Sequence, residues 1–311
     1  MRTRTGRFTA ALVIVSALVA GCGAGPNRAD SAAIVGETSI PLDETQQSIT
    51  QVLVRPGLVE GLTAQGGSEA DVGRAVVSQL VIRDLLARTA QEQGITVTDQ
   101  QVEAAIARAG GPDAVAESSL AVGGAQAAIR DQLTLTELAG RELDRLSVTA
   151  DVAVAESREQ ALELAREVAA GGARAEQALA GAGTAQRDLA IRPAETPQAA
   201  LTPLIGIPAG WVAAFQLGTG QGWVVVRVTD RTLHAQAPPE GGAAERLDPQ
   251  TLSEAGIRLL TPTALRAGVE LNPRYGTWDP IQMLAVPGAD EAATVLPVST
   301  GAGAGSAAPA P

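Results

Sequence analysis

Only six of the 311 residues carry an aromatic ring, although 45% of the chain is hydrophobic. A chain of this length has the apolar side chains for a core, but that core has to be built from Ala, Val, Leu and Ile. Helices and strands packed closely through small aliphatic residues are therefore expected. The chain has one cysteine, Cys22, so no internal disulfide can form, and one histidine, His234. With these, zinc sites and Ser-His or Cys-His nucleophile systems are practically excluded. His234 falls in a polar loop and reads as a solvated residue. The glycine pairs 66–67, 110–111, 123–124 and 171–172 neither follow a strand nor open a GK[ST] pattern, so they read as helix ends and no nucleotide or other cofactor is expected. Carboxylates such as Asp43, Glu44 and Asp99 stand at helix starts, where capping and solubility explain them.

The N-terminal segment addresses the chain. Arg2, Arg4 and Arg7 precede an apolar run from Phe8 to Cys22 that is too short to span a bilayer but suits a signal-peptide core. The run ends in Val19-Ala20-Gly21-Cys22, which resembles the lipobox at which bacterial lipoproteins are cleaved and acylated, with valine in place of the commoner leucine. The resemblance implies that residues 1–21 are removed and that Cys22 carries palmitate-type acyl chains. Two or three such chains hold a protein firmly on a membrane where one does not. The expected location is the outer, extracytoplasmic face of the cytoplasmic membrane. Cleavage takes the net charge from −11 to −14, since the segment holds three arginines and no acid. A chain so acidic repels phosphate backbones and anionic lipid head groups, so nucleic acid is not an expected partner and the membrane is reached through lipid alone. All 23 basic residues are arginine.

Residues 22–31 read as a tether. From Ala32 a short strand (Ala33 to Val35), a turn at Gly36-Glu37, a second strand (Ser39, Ile40) and a helix opening at Pro41 are expected. Between Ala70 and Gly94, Val72, Val76, Val77, Leu80, Val81, Leu85 and Leu86 recur at helical spacing. Thr98 is an N-cap for a further helix with Val102, Ala105, Ile106 and Ala109 on one face. A third long helix carries Ile129, Leu133, Thr136, Gly140 and Leu143 on one stripe. The period then changes: a strand at Val148 to Val154, a helix over Glu156 to Ala170, a proline-rich stretch, and an alternating strand from Gly222. A helix from Pro249 to Leu260 and a strand Val269-Glu270-Leu271 follow. The Ala, Gly, Pro and Ser rich residues 287–311 are expected to be disordered.

The opening AAIVGETSIPLDETQQSI (residues 32–49), then EQGITVTDQQVEAAI (92–106) and AAIRDQLTLTEL (127–138), taken in order behind an export signal, resemble the N-terminal domain of SurA-like and PrsA-like periplasmic chaperones. The resemblance implies a mainly α protein with a small α+β insert. A helical domain over 32–147 would be completed by a C-terminal helix and strand within 246–279. The intervening 148–232 resemble a parvulin, a peptidyl-prolyl isomerase fold. VTADVAVAESREQALELAREVAAGG (148–172) corresponds to its first strand and helix, and IPAGWVAAFQLGTGQGWVVVRVTDR (207–231) to its closing helix and last strand. Where parvulins carry histidines, this chain places Asp151 and Val224, so the insert is expected to be degenerate and without catalytic residues. Prolyl isomerisation has a barrier of about 18–20 kcal/mol, and a valine offers nothing to a polar network around the twisted amide.

The implied activity is ATP-independent holding of unfolded exported polypeptides in a groove between the helical domain and the insert. A foldase with a nonstandard site, or a dedicated adaptor in a cell-envelope complex, are the alternatives. Trp211, Phe215 and Trp223 fall within 13 positions; they are read as core of the insert, or else as an exposed patch that holds apolar client segments. Asn272 to Gly276 with Trp278 reads as a structural turn in which Arg274 stacks or pairs with a carboxylate.

Overall fold

The computed structural model describes residues 28–299 except 56, 65, 184, 217–221 and 239–240. The export segment, Cys22 and residues 300–311 lie outside this range.

Capping residues set the helix boundaries. Strands β1 (Ser31–Val35) and β2 (Thr38–Pro41) form a hairpin, and Pro41 hands over to α1 (Leu42–Leu53) with Asp43 and Glu44 in its first turn. After α2 (Leu58–Ala64) comes the central helix α3 (Glu69–Gln93). It opens at Ser68, whose N–H donates to Asp71 at 2.8 Å, and stops at Gly94 in the left-handed conformation. Thr98 caps α4 (Asp99–Arg108) through Gln101 in a reciprocal box. Helices α5 (Pro112–Ser118) and α6 (Ala125–Glu142) follow. The buried stripe of α6 is Ile129, Leu135, Leu138, Ala139 and Glu142. It is rotated from the expected one, because a helix far along the chain covers the Leu135 side.

The chain then forms β3 (Ser147–Ala155), α7 (Arg158–Ala169), α8 (Gly172–Gly181), β4 (Gln186–Ile191), β5 (Trp211–Gln216) and β6 (Trp223–Thr232). After α9 (Ala243–Arg246), Asp248 caps α10 (Pro249–Leu259), which leads into α11 (Thr261–Ala267), β7 (Val269–Leu271), β8 (Thr277–Asp279), β9 (Leu284–Val286) and β10 (Thr294–Pro297). Three antiparallel sheets result, ordered β2-β1-β7, β10-β5-β6-β3-β4 and β8-β9. The protein is thus mainly helical with one five-stranded sheet.

Two expectations fail here. Residues 211–216 are a strand, not a closing helix. Trp211, Ala213 and Phe215 alternate with Val212 and Ala214 along β5, and each set packs into a different core, which a period of two satisfies and a helix cannot. Nor are residues 287–299 disordered: Thr294–Pro297 pair with β5, and Val298 and Ser299 donate backbone bonds to Gly210 and Ala169. A Pro-containing segment is tolerated there because the strand lies at the sheet's edge.

The sheet divides the molecule. On one face Val148, Ala150, Phe215, Val226 and Val228 join α3, α6 and α10 in a single continuous core with Leu85, Leu138, Leu143 and Leu259. On the other, Ala153, Val212, Ala214 and Val225 pack on Ala161, Ala165 and Val168 of α7 and Ala175 and Leu179 of α8. The junction between helices and sheet is therefore filled, and the groove expected between helical domain and insert is replaced by packed side chains. Buried Glu142 of α6 faces Arg231 of β6 across it at 3.6 Å. Burial pushes the Glu142 carboxyl up, against the opposing pull of Gln93 and Arg231.

Candidate functional site

Asp151, the position aligned with a parvulin histidine, lies on the α7/α8 face of β3 and is 1% exposed. It stands directly opposite Arg227 on β6, whose Nε and Nη2 donate to Oδ2 at 2.9 and 2.6 Å. Arg187 Nε and the Asp188 N–H donate to Oδ1 at 3.0 and 3.1 Å, and Glu176 of α8 accepts from Arg187 at 2.6 Å and meets Arg227 at 2.9 Å. Burial raises the Asp151 carboxyl, but the hydrogen bonds from Asp188, Arg227 and Arg187 together outweigh it and hold the group below the ordinary range. A carboxylate with every lone-pair direction engaged is poorly placed to exchange protons or polarise an amide. Val224 pairs with Val154 and points into the opposite, larger core. The two positions aligned with the family's histidines do not share a face.

The three aromatics do not converge either. Phe215 is buried at 2% exposure, Trp211 packs half-buried on the same face, and Trp223 lies on the other face beneath the Arg158 guanidinium at 5.8 Å. They are core and core-edge residues, not a common exposed patch. His234 is exposed, as its loop position implies. Tyr275 and Trp278 are buried, with the Tyr275 ring over Gly73 of α3, while Arg274 is exposed and enters none of the described ion pairs. Among the described residues no group of three or more His, Cys, Asp and Glu could hold a metal ion, and no helix is long and apolar enough to cross a membrane.

A larger opening than any around Asp151 among the described residues lies elsewhere, within the helical part. Helices α3, α6 and α10 line a cleft of about 930 Å³, to which the C-terminal part of α5 and the segment 282–285 also contribute. This is near the upper end of the volumes at which proteins enclose ligands, about 300–1,000 Å³. Ile82, Ile257 and Leu284 supply accessible apolar surface, and Gln79, Gln132, Gln250, Ser253 and Gln282 supply neutral donors and acceptors between them. Close approach of α10 to α6 sets the floor: a Cβ at Gly256 would overlap the Leu135 carbonyl, so only glycine fits. The Ser78 hydroxyl accepts from the Ala285 N–H at 2.8 Å and donates to Arg74 O, tying the 282–285 segment to α3.

The charged groups at the cleft have protein partners, though not all of these are ionic: Glu254 accepts from the Gln250 side-chain amide at 3.3 Å. Arg83 donates to Asp131 at 2.8 Å, Arg74 pairs with Asp71, and Arg258 Nε donates to Leu201 O at 2.7 Å. Burial pushes Asp131 up despite Arg83, whereas hydrogen bonds from Ser68 and Arg74 lower Asp71 to about 2. The arrangement can hold apolar side chains and solvate a peptide backbone; it offers no acid-base pair for chemistry. Sequence reasoning missed this cleft because five segments between Asp71 and Ala285 build it, and no stripe distinguishes lining from core.

Comparison with known proteins identifies the N-terminal part. Residues 1–110 match the SurA-like N-terminal domain, and the α3 wall of the cleft lies within that match. No curated protein matches the chain. Among solved structures, the foldase protein PrsA from Lactococcus lactis aligns over 78% of this chain and 94% of its own, at 11% identity and a TM-score of 0.27. At that score the two share too little geometry to transfer a site.

Proposed function

We propose that the chain is an extracytoplasmic, ATP-independent chaperone, held on the outer face of the cytoplasmic membrane by acyl chains on Cys22, that shelters extended apolar segments of unfolded exported polypeptides in the cleft among α3, α6 and α10. The observation that carries this reading is an open cleft lined by aliphatic and amide side chains beside a SurA-like N-terminal domain. Apolar contact and backbone hydrogen bonding tolerate many sequences, which suits a binder of diverse unfolded segments. The sheet module serves as structure rather than as an isomerase, and its support is the engaged carboxylate at Asp151. The arginine-led apolar run ending at Val19 to Cys22 supports the anchor.

The test uses the mature chain from residue 22 carrying Cys22→Ser. It is added to a chemically unfolded client in an aggregation assay and to a proline-limited refolding assay. Suppressed aggregation without faster refolding is expected. Faster refolding would establish an isomerase and overturn the argument from Asp151. Neither effect, with one tight partner recovered from cell envelopes, would establish a dedicated adaptor. Metabolic labelling with palmitate should mark the native chain and not Cys22→Ser.

A further inference from the structure

The last described strand occupies its place in an unusual manner. β10 adds to the edge of β5 with Thr294, Val295, Leu296 and Pro297 opposite Ala214, Ala213, Val212 and Trp211, and Val298 continues the ladder by donating to Gly210 O at 2.8 Å. Its four residues are half-buried or exposed, while Val212, Ala213 and Ala214 beneath it are fully buried. No side chain of residues 294–299 makes a hydrogen bond or ion pair among the described residues, so all of the strand's hydrogen bonding is main-chain. Apolar side chains lean alternately to the two cores, Val295 to the larger and Leu296 to the smaller. At Gly171 a Cβ would crowd the Ser299 carbonyl, which keeps a backbone-width channel open beside α7. A seat that reads backbone and alternating apolar residues, without polar side-chain selection, recognises extended segments as a class.

We propose that the β5 edge is a receiving site for an extended apolar segment of a client polypeptide, and that β10 fills it in the resting chain as an intramolecular stand-in. A client strand displaces the tail by exchanging one main-chain ladder for another, so the hydrogen bonds lost and gained are of one kind. The proposal rests on the reading that clients are extended polypeptides, but places a second site on the sheet, away from the α3/α6/α10 cleft. The free edge strand β4 is the poorer acceptor. Its residues 186–190 are exposed, and Asp188 at φ +52° breaks the register of its ladder.

A labelled peptide of residues 292–299 is titrated into the mature Cys22→Ser chain and into the same chain ended at Ala293. Binding to the shortened chain at least tenfold tighter than to the full one is expected. A copy of the peptide with Asp at 295, 296 and 298 should not bind. Equal binding to both chains, or none to a folded shortened chain, would overturn the proposal. Should the shortened chain fail to fold, Ala214→Cys with Thr294→Cys in the Cys22→Ser chain locks the tail. The reduced form should then bind the peptide and hold unfolded client more strongly than the oxidised form, and identical behaviour of the two forms would overturn the exchange. Peptide binding at β5 with no suppression of aggregation would leave this site standing and remove the chaperone reading. Suppression indifferent to the lock would do the reverse.

Discussion

The cleft among α3, α6 and α10 and the sheet face around Asp151 are both built from arginine, carboxylate and aliphatic residues, yet one is open and the other closed. At Asp151 two guanidinium groups and a backbone N–H converge on one buried carboxylate, and α8 brings Glu176 to complete the charge balance. At the cleft the arginines are spread among separate partners, Arg83 of α3 on Asp131 of α6 and Arg258 of α10 on the Leu201 carbonyl, and the space between helices stays unfilled. The difference shows what a buried carboxylate demands of its surroundings. A carboxylate on a buried strand must recruit cations, and at Asp151 the cations fill the room around it.

The largest effect should come from breaking the closed side. Arg227→Ala leaves Asp151 buried with half its partners and should cost about 3–5 kcal/mol, read by urea unfolding. Asp151→His, which restores the family's residue type, should destabilise the fold and give no prolyl isomerisation; a gain of activity would make the two regions functionally alike. On the open side, Gly256→Val should force α10 from α6, cost about 1–3 kcal/mol and abolish aggregation suppression together. Leu284→Asp separates the two readouts: client holding should fall severalfold while stability stays within about 0.5 kcal/mol.

Smaller effects appear with pH. Asp151 is held below its unfolded value of about 3.9, so its contribution is complete above that pH and is lost as pH falls through the lower folded value. Asp151→Asn should accordingly flatten the acid limb of the stability curve while lowering its neutral plateau. Asp71 follows the same sign, losing its contribution as pH falls toward about 2. Ser68→Ala should raise the Asp71 pKa toward 3.8, measured by NMR titration, with little change in client holding.

Much of the helical part was legible from local signals. Thr98 starts α4 as its capping chemistry requires, and the stripe Val72, Val76, Val77, Val81, Leu85 is buried along α3. The strand from Trp223 is equally plain. What escaped has short or two-faced patterns. The α8 sequence is alanine and glycine rich, the β5 run WVAAFQ is apolar on both faces, and TVLP carries a proline in a low-complexity tail. Aligning Asp151 and Val224 by sequence overlooked the alternation that sends them to opposite faces. The cleft was illegible because its walls are separated by long stretches of chain, and its accessible residues, Ile82 and Ile257, belong to the same helices that form the core.

The small sheet β2-β1-β7 gives the chain a schedule as well as a shape. β1 is the first described strand and pairs with β7, and Asn272 Nδ2 donates to Ser31 O across 241 positions of sequence. A polypeptide threaded across a membrane from its N-terminus presents β1 long before β7, so its opening strand waits with one edge unpaired until the final stretch emerges. Closing so long a loop costs entropy that local helices do not pay back, and such distant pairing slows folding. On the export route proposed above, the protein would spend most of its emergence in the condition from which it is proposed to protect others.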